Sequence, residues 1–176
     1  MQDDRRASIR LFFALWPDPG IRSALLRARD GGIQGARPTH PDDLHLTLVF
    51  VGDVAPETLP CIEAAGDDVV VSAFDLALRR VETWPRQRLL VAAPDETPQA
   101  LFNLVSQLQQ NLLPCGIEPE PRRYRPHVTL ARRAARLDPA PLAVHWPARA
   151  FVLARSGVAG RGNGGGYQVL RRWVLD

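Results

Sequence analysis

The chain has 176 residues, and all 22 of its basic residues are arginine, set against 19 acidic side chains for a net charge of +3. The lack of lysine excludes Schiff-base catalysis, a phosphate-loop NTPase built on its glycine-rich loop lysine, and a protein kinase. At 45% hydrophobic and 23% charged, the composition suits one domain or two small lobes around a buried core, and excludes disorder and coiled coil.

Charge is unevenly spread. Residues 1–78 carry 7 arginines and 12 acidic side chains, whereas residues 79–176 carry 15 and 7. Codon usage accounts for a missing lysine but not for local crowding. Arg122, Arg123, Arg125, Arg132, Arg133 and Arg136 fall in a stretch without a single acid. An arginine-rich half points to an anionic partner, since the planar guanidinium matches phosphate oxygens.

In chain order, Ile9 to Leu15 reads as a strand closed by Trp16-Pro17-Asp18-Pro19-Gly20, preceded by a flexible N-terminus over residues 1–8. Its apolar run ends at Trp16, too short for a signal segment or a membrane span. Ile21 to Arg29 is an amphipathic helix, Leu44 to Val51 a strand ending at Gly52-Asp53, and Pro56 to about Gly66 a second helix. Phe74 to Val81 and Arg88 to Ala93 form two strands. Leu101, Leu104, Val105, Leu108 and Leu112 mark the clearest helix, Pro98 to Leu113. His127 to Arg132 is a strand, and Phe151 to Arg155 and Tyr167 to Val174 are two more. The connector Gly157 to Gly166 is a hairpin loop rather than a phosphate cradle, because a strand and not a helix follows it. Helices alternating with hairpin-like strand pairs indicate an α+β fold with antiparallel sheets.

Cys61 and Cys115 do not make a disulfide framework, and Cys61 reads as a small apolar helix residue. A reducing, cytoplasmic setting is the default that follows.

One internal repeat stands out: Leu44-His45-Leu46-Thr47-Leu48-Val49 and Pro126-His127-Val128-Thr129-Leu130-Ala131. Residues two apart on a strand share a face, so each motif projects an imidazole and a hydroxyl about 7 Å apart at the α-carbons. Strict alternation assigns Leu46, Leu48 and Phe50 to the core, and sends Arg132 to the face opposite His127 and Thr129 unless a bulge intervenes. A threonine two after a histidine arises by chance roughly once in ten or twenty. Two of the four histidines carry it here, each followed by leucine and preceded by a turn. His40 and His145 lack the pattern and read as loop or strand-end residues. Asp42 and Asp43 serve the turn or orient His45.

Two imidazoles suit phosphodiester cleavage, which needs a base for the attacking oxygen and an acid for the leaving one near neutral pH. Threonine hydroxyls can hold the non-bridging oxygens. Neither motif brings the further ligands that a zinc or two-metal site needs, so no metal and no cofactor are expected.

The paired HxTx motifs, with Arg10-Leu11-Phe12-Phe13-Ala14-Leu15 at the start and Arg155-Ser156 and Gly166-Tyr167 in the tail, resemble the 2H phosphoesterases, and within them the RNA 2′,3′-cyclic phosphodiesterases, also called 2′-5′ RNA ligases. The resemblance covers the chain from about Ile9 onward, with Trp84-Pro85 and Leu90 standing where relatives often have Phe-Pro and an aromatic. It implies one bilobal domain over 1–176 with pseudo-two-fold symmetry, two antiparallel sheets flanking a central cleft, and helices outside. It further implies metal-independent opening of RNA 2′,3′-cyclic phosphate ends to 2′-phosphate, and in some members joining of 2′-5′ linkages in tRNA halves. Carried over by residue, His45 is the proton donor and His127 the acceptor, while Thr47, Thr129 and Arg132 bind phosphate. Arg123, Tyr124, Arg125 and Phe12 are candidate RNA contacts, and Phe50 is assigned to the core. The expected enzyme is a cytoplasmic monomer acting on RNA ends, without a membrane. The alternatives are a phosphodiesterase for a small cyclic nucleotide or ADP-ribose cyclic phosphate, and a non-catalytic RNA-binding module.

Overall fold

The computed structural model describes residues 8–31, 34–157 and 165–176. The expected flexible N-terminus, apart from Ser8, and most of the Gly157 to Gly166 connector lie outside the described residues. The elements run β1 (Ile9–Leu15), α1 (Pro19–Asp30), β2 (Arg37–Pro38), β3 (Leu46–Val54), α2 (Leu59–Asp67), β4 (Phe74–Trp84), β5 (Leu89–Ala93), α3 (Gln99–Leu112), β6 (Val128–Arg132), β7 (Ala140–Ala148), β8 (Ala150–Ser156) and β9 (Tyr167–Val174).

Every strand pair is antiparallel, in the order β7-β4-β5-β6-β3-β1-β8-β9, with the two-residue β2 paired to β6. At the middle, β3 and β6 share one registered pair, Leu46 with Val128. The expected two sheets are thus four-stranded halves joined edge to edge at one seam, each half contributing an HxTx strand to it.

The core lies on the helical side. Leu11, Phe13 and Leu15 of β1 join Leu46, Leu76, Leu78, Val128 and Leu153 there. The five apolar positions expected on α3 are all buried. Helix α1 starts where Asp18 accepts a hydrogen bond from the Ile21 N–H at 2.8 Å, with Pro19 in the first turn, which needs no N–H partner. Even-numbered Phe12 and Ala14 face the other way and form a small second cluster with Val152 and Ala154. That cluster floors the cleft.

One strand is new, and two expectations are corrected. Ala140–Ala148 is a strand not among those expected, Pro141 and Pro147 interrupting its pattern. Strand β7 is the edge of the sheet, where a missing N–H costs no ladder bond. His145 sits within that strand on its exposed side, 3.5 Å from Asp75. The second helix ends at Asp67, one residue past the expected Gly66, and a Cβ at Gly66 would come 2.5 Å from the Trp173 ring. The glycine lets the helix close onto β9.

The second correction, after His145, concerns the cysteines. The α2 residue Cys61 and Cys115, just past α3, are joined by a disulfide with Cα atoms 5.8 Å apart and a sequence separation of 54. No spacing pattern signals it, because helix packing alone brings the pair together. Closing a loop of that length should stabilise the fold by about 4 kcal/mol through the chain entropy of the unfolded state. Urea unfolding with and without reductant measures this, and an unchanged midpoint would remove the bond from the stability balance. Among the described residues, no helix is long and apolar enough to cross a membrane.

Candidate active site

The Leu46–Val128 pair puts two buried side chains against the core and fixes what faces away. Extending its antiparallel register by one residue in each direction sets His45 across from Thr129 and Thr47 across from His127. Both histidines and both threonines are half-buried on that face.

The two imidazoles are held in the same way. Nδ1–H of His45 donates to the Asp43 carbonyl at 2.7 Å, and Nδ1–H of His127 donates to the Arg125 carbonyl at 2.8 Å. In both cases the acceptor is two residues upstream, in the turn that precedes the motif. This bond selects the tautomer that leaves Nε2 free to take or give a proton. His45 Nε2 lies 3.0 Å from Thr47 Oγ1. Asp43 therefore does orient His45, but through its backbone. Its carboxylate instead accepts from the N–H groups of Gly166 and Tyr167 at 2.9 and 3.2 Å, fixing the start of β9.

The strands do not alternate strictly beyond the threonines. Between β1 and β3, Phe13 pairs with Val49 but Ala14 pairs with Thr47, leaving Leu48 as an extra residue. Between β5 and β6, Leu90 pairs with Ala131 and Val91 with Thr129, leaving Leu130 as an extra residue. The leucine of each motif is thus a β-bulge, and a bulge reverses which face the following residues take. Leu48 and Val49 are both buried, as are Leu130 and Ala131. The fifth residue after each histidine consequently returns to the cleft face. In one half that residue is Arg132, whose charge acts on both imidazoles. In the other it is Phe50, 57% exposed, with its ring 6.3 Å from that of Phe12.

Phe50 is therefore corrected from core to cleft wall. Phe12, expected to contact RNA, is 3% exposed and serves as packing beneath His45, with its ring 4.8 Å from the imidazole. Tyr124 turns inward as well, and its hydroxyl donates to the Thr47 carbonyl at 2.9 Å. Burial pushes its phenol pKa well up. Arg123 and Arg125 are exposed and line a groove of ≈220 Å³ beside the second motif, with Arg80, Glu82, Trp84 and Phe102.

Three aromatic neighbours escaped the sequence reading. Trp16 stacks on His45 at 5.5 Å with 12° between the planes, and Tyr167 meets it edge-on at 5.2 Å. Trp84 lies 4.4 Å from His127 and carries the Arg125 guanidinium 4.2 Å above its ring. Sequence alone marks no difference between these rings and core rings.

Burial in this setting pushes the pKa of both imidazoles below the ordinary value. For His45, the Asp43 carbonyl and carboxylate oppose the shift, while the charges of His127 and Arg132 add to it. For His127, the Arg125 carbonyl opposes it, and the Arg125 and Arg132 charges add. Among the described residues, no group of three or more His, Cys, Asp or Glu converges as metal binding would need.

Residues 15–91 and 91–152 match the family described as LigT like Phosphoesterase. The chain is 30% identical over 172 residues to the RNA 2′,3′-cyclic phosphodiesterase of Escherichia coli, covering 94% of this chain and 96% of that protein. It is 30% identical over 183 residues to the protein of the same name from Thermus thermophilus, covering 95% and 90%. The crystal structure of E. coli LigT complexed with 3′-AMP matches with a TM-score of 0.87 at 29% identity, over 96% of this chain and 99% of that one. Most of its length matches one family, and these two relatives align nearly end to end, so the chain belongs to the LigT-like phosphoesterases.

Proposed function

We propose that the protein hydrolyses 2′,3′-cyclic phosphate ends of RNA to 2′-phosphates, using its two HxTx motifs and no metal. The observation that carries the reading is the pair of Nε2 atoms freed by identical carbonyl anchors on one sheet face, with two hydroxyls and the Arg132 charge beside them. His127 takes a proton from water as the water oxygen attacks phosphorus. The bond from phosphorus to the 3′ oxygen breaks, and His45 gives that oxygen its proton. The products are a 2′-phosphomonoester and a free 3′-hydroxyl. Thr47, Thr129 and Arg132 hold the non-bridging oxygens and stabilise the charge that builds on them.

Both motifs come from one chain, which supports a monomer as the working unit. Arg123 and Arg125 supply an exposed cationic approach for the RNA backbone. The reading assigns the reaction to the cytoplasm, on RNA ends such as tRNA halves. The cysteines no longer argue for that compartment, since they are paired.

The test is the product made from an oligonucleotide ending in a 2′,3′-cyclic phosphate, in buffer containing EDTA. A 2′-phosphate is expected. A 3′-phosphate, or activity lost to the chelator, would contradict the mechanism. In the same assay the alkaline limb of kcat/KM should lie below pH 6.5, because the free-site pKa values are lowered and the protonated imidazole is lost as pH rises. A bound phosphate anion favours the imidazolium, so the alkaline limb of kcat should sit at higher pH than that of kcat/KM. Coincident limbs would argue against a phosphate lying between the histidines.

A further inference from the structure

The two half-sheets meet at one residue pair, so the ladder between β3 and β6 does little to fix how far apart their motifs stand. Two hydroxyls supply what the ladder lacks. Tyr124, three residues before His127, donates to the Thr47 carbonyl of the other motif at 2.9 Å. Thr39, six residues before His45, donates its hydroxyl to the Thr129 carbonyl at 2.9 Å and its N–H to the Leu130 carbonyl at 2.9 Å. The arrangement is reciprocal. The segment entering each motif reaches across the seam to the threonine carbonyl of the opposite motif, one residue before its bulge.

Each donor is itself anchored by a helix. Arg29 of α1 donates to the Thr39 carbonyl at 2.7 Å, and α1 packs beneath β6 and β7. The Tyr124 ring meets Phe102 of α3 edge-on at 6.4 Å, and α3 packs beneath β3. The carbonyls that accept from the two hydroxyls belong to Thr47 and Thr129, whose side chains face the cleft, so a shift at either brace moves a site hydroxyl and the bulge beyond it.

We infer that Thr39 and Tyr124 are positioning residues: two hydroxyl braces that set the separation of the HxTx motifs and hold the bulges that return Arg132 and Phe50 to the cleft. The kinetic part of this inference rests on the proposed cyclic phosphodiesterase activity. Neither residue touches the reacting atoms. Their effect is geometric, and misplacement by about 1 Å can lower a rate by about 100-fold.

The experiment compares Thr39→Val, Thr39→Ser and Tyr124→Phe with the unmodified protein. It measures kcat and KM on a cyclic-phosphate-ended oligonucleotide, the affinity for inorganic phosphate, and the melting temperature. Thr39→Val and Tyr124→Phe should lower kcat roughly 10- to 100-fold, more than any rise in KM, and should weaken phosphate binding. Thr39→Ser keeps the hydroxyl and should stay close to the unmodified protein in both. A melting-temperature change with kcat and phosphate affinity both kept would overturn the inference by reducing the braces to structural bonds. Thr39→Ser as impaired as Thr39→Val would also overturn it. If the unmodified protein opens no cyclic phosphate, the proposed function fails while phosphate affinity still decides the braces: loss in Val and Phe with recovery in Ser supports them, and no change rejects them.

Discussion

Replacing His127 with alanine should cut turnover of a 2′,3′-cyclic-phosphate-ended oligonucleotide by roughly 10²- to 10⁴-fold, and His45→Ala should fall in the same range. Each substitution removes one proton transfer and leaves the arginine face intact, so RNA binding should persist. The two variants should differ when the leaving group changes. A substrate with sulfur in place of the bridging 3′ oxygen departs without needing a proton. That substrate should recover much of the rate in His45→Ala and little in His127→Ala. The local setting supports this order of roles. The Asp43 carboxylate pulls the His45 pKa upward, and the aromatic faces of Phe12 and Trp16 favour a cation, whereas the Arg125 charge acts to keep His127 neutral. Full turnover in either alanine variant would overturn the two-histidine mechanism.

The second large effect belongs to Arg132. Arg132→Ala should lower kcat roughly 10²- to 10³-fold, the loss expected when a preorganised group facing transition-state charge is removed. Arg133→Ala should change kcat little. The two residues are adjacent and carry the same charge, so net charge and electrostatic steering are altered equally in both variants. What separates them is the bulge at Leu130, after which Arg132 and not Arg133 shares a face with Thr129. Greater damage from Arg133→Ala would mean that β6 runs through Leu130 without a bulge. Phe50→Ala, at the equivalent place in the other half, should act on KM, since an exposed ring offers contact area rather than charge.

The parts of the site legible in the sequence were those that repeat. Two HxTL tetrapeptides marked the histidines and threonines as candidates, which the fold brings onto one face, and the i, i+3, i+4 apolar spacing found α3. Alternation misassigned Phe50, and left Arg132 dependent on a bulge that no residue type announces, because a leucine bulge and a regular leucine look alike in sequence. The same feature accounts for both positions. Phe12 was misread for another cause: it does face the cleft, but His45 and Tyr167 cover it. Strand β7 was hidden by two prolines that are harmless only at a sheet edge, and edge position is a property of the assembled sheet. The disulfide and the aromatic contacts of His45 likewise depend on long-range packing. Trp16, Phe12 and Tyr167 come from β9 and the first strand segment, and local patterns carry no record of that meeting.

The bulged tetrapeptide also explains how a nearly two-fold frame can serve an asymmetric molecule. In each half, the slot five residues past the histidine is built by the same backbone device, yet nothing in that device prescribes which side chain fills it. One slot holds a phenyl ring and the other a guanidinium. An RNA end has a flat, uncharged base on one side of its ribose and an anionic phosphate on the other. Duplicated architecture thus supplies the chemistry twice, and two single-residue choices make the two ends of the cleft chemically unlike.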